Sequence, residues 1–109
     1  MIPMNEAIER ARQIAKQVLA GEYDPLLACR EIAMMKEDLT VVPEDVMTGF
    51  RAIDSEVDGL PLGPERAYWD KEALREKDLR AARYREQVRK GIEEDLLALL
   101  DATGNDHRA

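Results

Sequence analysis

Apolar residues recur at helical spacing in four stretches of the chain, each bounded by residues that start or stop a helix. In the first, Met4, Ile8, Ala11, Ala15 and Val18 form a stripe that Ala7, Ile14 and Leu19 widen. With Asn5 as N-cap and Gly21 just past the end, the spacing predicts a helix from about Glu6 to Ala20. Asp24-Pro25 restarts the helix, a capping carboxylate followed by proline at the first helical position. Ala28, Ile32, Met35 and Leu39 make the second stripe, with Cys29 on its shoulder, and the short connection predicts that the first two helices lie antiparallel.

Thr40-Val41-Val42-Pro43 reads as a linker. Glu44 and Asp45 then open a third helix, where negative charge meets the positive end of the dipole. Val46, Phe50, Ile53 and Val57 carry the narrowest stripe of the chain, and Asp58-Gly59 closes it. Two prolines make Leu60-Pro61-Leu62-Gly63-Pro64 a rigid connector, and a short turn starting at Pro64 leads toward the last helix. That helix runs from about Lys71 to about Asp101, capped by Asp70, with Trp69 and Leu74 at the spacing of a hydrophobic staple. Ala81, Tyr84, Val88, Ile92, Leu96 and Leu99 form its core stripe. Pairs four apart (Glu76 with Arg80, Glu86 with Lys90, Arg89 with Glu93) are expected on its outer face, and Gly91 marks a weak point. No stretch alternates with period two. The expected fold is an all-α, single-domain bundle of four main helices over residues 1–103, the last one long, with a flexible tail over 104–109.

Charge changes this picture from architecture to function. The 109 residues hold 16 Lys and Arg against 23 Asp and Glu, a net charge of −7. Residues 37–65 account for the whole excess: Glu37, Asp38, Glu44, Asp45, Asp54, Glu56, Asp58 and Glu65 face Arg51 alone. One sign of charge on one helix and its flanking loops would steer a basic protein partner. The competing reading is a solvated face, neutralised in part by arginines of the last helix. A pI near 4.8 argues against a nucleic-acid binder. The uncharged runs are too short for a membrane span, and the charged N-terminal stretch carries no secretory signal. With one cysteine there is no internal disulfide, and the expected location is the cytoplasm.

Candidate chemistry is sparse. Asp54, Glu56, Asp58, Gly59 and Glu65 match positions 1, 3, 5, 6 and 12 of an EF-hand loop between two helices. Against calcium stand the long Glu at position 3, Pro61 at position 8 and the absence of a second hand. Helical continuation through Val57 would also put Asp54 and Asp58 on one flank, with Glu56 roughly 160–200° away. His107, the single histidine, lies in the tail, where it has no partner for a triad or a His-rich metal site. Cys29 reads as a small buried hydrophobe. Trp69 reads as a staple, with an exposed interface anchor as the alternative.

Gly21, Asp24-Pro25, Cys29-Arg30-Glu31-Ile32, Phe50, Asp54-Ser55-Glu56, Asp58, Leu60-Pro61, Trp69 and Lys77-Asp78 together resemble the pattern of a group of small bacterial all-helical proteins with no assigned activity. The similarity spans residues of about 20 to 85 and implies a helical bacterial protein without pointing to a reaction. In size and acidity the chain is also similar to toxin-neutralising immunity proteins, by analogy only. The sequence therefore predicts a non-enzymatic, immunity- or adaptor-like binding protein that needs no cofactor. Its partner is expected on Glu44, Asp45, Asp54, Glu56, Asp58 and Trp69, and a homo-oligomer is compatible with this reading. The alternatives are a calcium-responsive protein using the Asp54–Glu65 loop, and an enzyme whose site forms only in an oligomer, with Tyr23, Tyr68, Tyr84 or clustered carboxylates as acids and bases.

Overall fold

In a computed structural model, residues 4–104 are described. Of the expected tail over 104–109, Gly104 belongs to the last helix, and residues 105–109, with His107, lie outside the described residues. Four α-helices follow one another: α1 Met4–Leu19, α2 Pro25–Met34, α3 Glu44–Glu56 and α4 Lys71–Gly104, with a 3₁₀ turn at Pro64–Tyr68 before α4. No strand occurs among the described residues.

The local punctuation accounts for most helix ends. Helix α1 closes in a Schellman motif: Gly21 takes φ +78°, its N–H donates to Val18 O, and the Glu22 N–H donates to Gln17 O. Glycine has no Cβ to clash in that left-handed conformation. Asp24 caps α2, its carboxylate accepting the Leu26 N–H at 2.9 Å with Pro25 at the first turn. Asp70 caps α4, accepting from the N–H groups of Glu72 at 2.8 Å and Ala73 at 3.2 Å.

Several boundaries differ from expectation, each for a visible reason. Helix α1 already includes Met4 and Asn5, so Asn5 is not its cap. Helix α2 stops at Met34, and successive i-to-i+3 turns through Met35, Asp38 and Leu39 swing Leu39 into the core from outside the helix. Val42, assigned to a linker, is buried as well. Helix α3 ends at Glu56 with Val57 as C-cap, so Asp58 lies in a turn and does not share a helix flank with Asp54. Helix α4 continues to Gly104, because Thr103 is buried, donates to Leu99 O at 2.8 Å and accepts from Arg12 of α1. On its outer face the ion pair that forms is Arg89 with Glu86, at 3.6 Å.

Helix α1 packs mainly on α4, and α2 mainly on α3. Arg12 in α1 reaches Leu100 O at 2.7 Å, whereas Asp24, just beyond α1, meets Arg85, so α1 and α4 run antiparallel. Helix α3 also runs against α4, with Gly49 beside Asp95 and Glu56 acting on Tyr84. Phe50, Ile14, Leu26, Ile32, Leu39, Ile92, Leu96 and Leu99 are fully enclosed at the shared centre. Ile53, Tyr84 and Val88, from the expected stripes, are only half-buried. At about 1.5 Å per residue, 34-residue α4 matches the 51 Å long axis of the molecule. Its buried residues begin at Ala81, so its first turns overhang the bundle and support the connector.

Candidate functional site

The acidic segment is organised by a residue outside it. Arg30 lies on α2 among Ala28, Cys29, Ile32 and Ala33, which face the core, and its guanidinium reaches over the end of α3. It donates to Val57 O at 2.9 Å, to Leu60 O at 3.3 Å and to the Glu65 carboxylate at 3.1 Å, and it pairs with Asp54 at 3.5 Å. Two of those acceptors are carbonyls just past the end of α3, where cations are favoured. The same Glu65 oxygen accepts the N–H groups of Leu62 at 3.1 Å and Gly63 at 3.3 Å. The Glu65 carboxyl is held below its usual range, first by its own backbone N–H and that of Gly63, with burial opposing them next and Leu62 and Arg30 adding less.

Positions 1 and 12 of the EF-hand-like loop, Asp54 and Glu65, do converge, but on a guanidinium. Glu56 and Asp58 stand exposed. Among the described residues no three His, Cys, Asp or Glu side chains gather as a metal site would require. The cations that neutralise the segment also come from other places than expected. They are Arg30 of α2 and Arg51 of α3 itself, which pairs with Glu44 at 3.2 Å, and not arginines of α4. The sequence signal that could have found Arg30 is a lone cation on the apolar face of a helix, beside a segment rich in acids.

Of the residues expected to bind a partner, Asp45, Glu56 and Asp58 are exposed and join no ion pair among the described residues, Glu44 is exposed but paired, and Asp54 is engaged by Arg30. Trp69 is half-buried at the end of the 3₁₀ turn, with the Lys77 ammonium 5.9 Å from its ring centroid, a cation–π distance.

Asp95 belongs to the acidic face although the sequence reading passed over it. It projects from α4 onto Gly49 of α3, where any Cβ would collide with its carboxylate. No ion pair reaches it among the described residues. Its carboxyl is pushed above its usual range by desolvation first, then by the negative charges of Asp45 and Glu94. Asp95 thus sits between α3 and α4 without an ion-pair partner among the described residues, under the repulsion of Asp45 and Glu94.

Behind the connector, a cleft of about 280 Å³ opens over Leu60, Leu62 and Ala81. Its walls are two forked ion pairs: Arg85 with Asp24, at 3.0 Å through both nitrogens, and Arg66 with Asp78, at 2.7 and 3.0 Å. Arg66 also donates to Pro61 O at 3.0 Å. Both guanidiniums are committed to carboxylates, so the cleft fastens the connector to α4 and leaves few donors for a ligand. The remaining chemical groups are similarly engaged. Burial, with added repulsion from Asp95, Asp24 and Asp54, pushes the Cys29 thiol up to about 12. Tyr23 is likewise pushed up to about 12, by burial and by its hydrogen bond to Glu31.

No protein-family model, curated protein or solved structure matches this chain.

Proposed function

We propose that the chain is a non-enzymatic, immunity- or adaptor-like binding protein of the cytoplasm, whose acidic face on α3 and α4 captures a basic protein partner. The observation that carries this reading is Asp95: a half-buried carboxylate beside Asp45 and Glu94, with no ion-pair partner among the described residues. Desolvated like charges cost stability when left unpaired. A lysine or arginine from a partner, entering the groove above Gly49, would remove that cost. Exposed Glu37, Asp45, Glu56 and Asp58, none of them in an ion pair among the described residues, extend the field around Asp95 and would speed encounter.

Two further observations support a binding role over catalysis. The Cys29 thiol and the Tyr23 hydroxyl, the nucleophile and acid candidates, are both moved far from neutrality. Tyr84 is shifted the same way, by burial first and then by Glu56 and Cys29. Among the described residues, no helix is long and apolar enough to cross a membrane. The resemblance to small bacterial helical proteins belongs to this proposal too.

Affinity capture from the native extract identifies the partner, and association kinetics over a salt series test the surface. The variant Asp45→Lys/Glu56→Lys should slow association at low salt by about tenfold or more, and added salt should erase the difference. The control Glu72→Lys/Glu76→Lys, with the same change in net charge on α4, should do much less. Asp54 is unsuitable for reversal because it is tied to Arg30. Equal losses in both variants, or none in either, would overturn the proposal.

A further inference from the structure

The cleft of about 280 Å³ between the connector and α4 belongs neither to the core nor to the acidic face, and its charge is opposite in sign to that of the chain. Three cations line it, Arg66, Lys77 and Arg85, against two carboxylates, Asp24 and Asp78. Each carboxylate is taken up by one arginine fork, Asp24 by Arg85 and Asp78 by Arg66. What the two forks leave over is Lys77. It joins no ion pair among the described residues. Half-buried, it holds its ammonium near the Trp69 ring, a contact that leaves its charge unneutralised. A single net positive charge thus stands in a cleft of a chain whose net charge is −7.

One fork also keeps a donor open. Arg85 reaches Asp24 through Nε and Nη2, and its Nη1 has no protein acceptor among the described residues. No buried side-chain nitrogen there lacks a partner, so this one faces solvent. Between the charged walls the floor is apolar: Leu60, Pro61 and Ala81 are buried and Leu62 is half-buried.

An apolar floor with a few polar groups and one net charge selects a ligand of matching make-up. One negative charge balances Lys77. A dianion would bring a second charge beside Asp24 and Asp78 with no cation left to meet it. At ~30 Å³ per water the cleft holds about nine waters, which is room for a molecule of roughly ten non-hydrogen atoms.

We propose that this cleft binds a small monocarboxylate with an aromatic or branched apolar body, the carboxylate on Lys77 and the body over Leu60, Leu62 and Ala81. Arg85 Nη1 is a second donor on the same wall. Bound there, the ligand touches both the connector and α4 and ties them together more firmly. Ala81 lies fourteen residues before Asp95 on α4, about 21 Å along the helix, so this inference does not rest on the proposed partner.

Phenylacetate and its neutral isostere phenylacetamide are the probes, titrated into the full chain and read by amide NMR. Phenylacetate should shift the amides of Leu60, Leu62 and Ala81 and saturate with a Kd of about 1 mM. Phenylacetamide has the same shape and no charge, and should bind about tenfold more weakly, the loss of one charge-assisted hydrogen bond. Lys77→Met should weaken phenylacetate by a similar factor. Lys71→Met makes the same charge change at an exposed position outside the cleft and should leave binding within about twofold. Shifts that do not saturate by about 20 mM would overturn the proposal. So would equal binding of the two probes, a Lys77→Met chain that binds as the wild type does, or a Lys71→Met chain that loses as much as Lys77→Met.

Discussion

Replacing Arg30 with methionine keeps the apolar stem of the side chain on α2 and removes the guanidinium that holds the end of α3 and the connector. Two of the lost bonds go to backbone carbonyls, Val57 O at 2.9 Å and Leu60 O at 3.3 Å, the second long enough to be weak. A hydrogen bond from a charged donor contributes about 1.5–3 kcal/mol net. The Glu65 carboxylate is 44% exposed, so its pairing with Arg30 adds little after screening by solvent. The expected loss is about 2–4 kcal/mol, a large share of the roughly 5–15 kcal/mol of a domain this size. With a urea slope of about 1–1.5 kcal/mol per molar, the midpoint should fall by about 2 M. Circular dichroism follows the helices, and the fluorescence of Trp69, the single tryptophan, follows the connector. Arg30→Lys should recover less than half of the loss, since one ammonium cannot serve the two carbonyls and Glu65 as a planar fork does. A double-mutant cycle with Glu65→Gln should show coupling of about 1 kcal/mol. If Arg30→Met unfolds within about 0.3 M of the wild type, the guanidinium does not organise this region and the reasoning fails.

The remaining predictions address the core, the acidic groove and the thiol. Phe50→Ala should cost about 3–5 kcal/mol by thermal or urea melting, because the ring is fully enclosed; a shift of only a few degrees would place the packing centre elsewhere. Asp95→Asn should raise stability at pH 7. The folded pKa of Asp95 lies above its ordinary 3.8, so ionisation disfavours the fold, and the variant's advantage should vanish as pH falls through the raised value and be gone below 3.8. Equal stability of the two proteins at pH 7 would show that the groove carries no strain from charge. Cys29 should react with a thiol reagent about 10³-fold or more slowly in the native chain than in denaturant, since the thiolate forms only when the core opens; rapid labelling of the folded protein would contradict its burial.

The helices were legible in the sequence because their determinants are local. Stripes repeat every three or four residues, and Asp24-Pro25, Gly21 and Asp70 act on backbone groups within one turn. Phe50 announced its burial in the same way, from the centre of a clean stripe. The location of the excess acid was equally plain, since charge counts need no coordinates. Which acids remain free was not. Asp54 and Glu65 are spoken for by Arg30, whose contacts span 24 to 35 residues, and Asp24 meets Arg85 across 61. Those partners are set by how helices cross, a geometry that no short window of sequence contains. The same holds for Leu39 and Val42, which enter the core from turns and so keep no helical period. It holds for the last turn of α4, secured by Arg12 from 88 residues away, and for Asp95, whose isolation arises because Gly49 lets its carboxylate press against α3. Local hydrogen bonding and patterning thus determined what the elements are, and tertiary packing alone decided which charges each element neutralises and which it leaves for something else to meet.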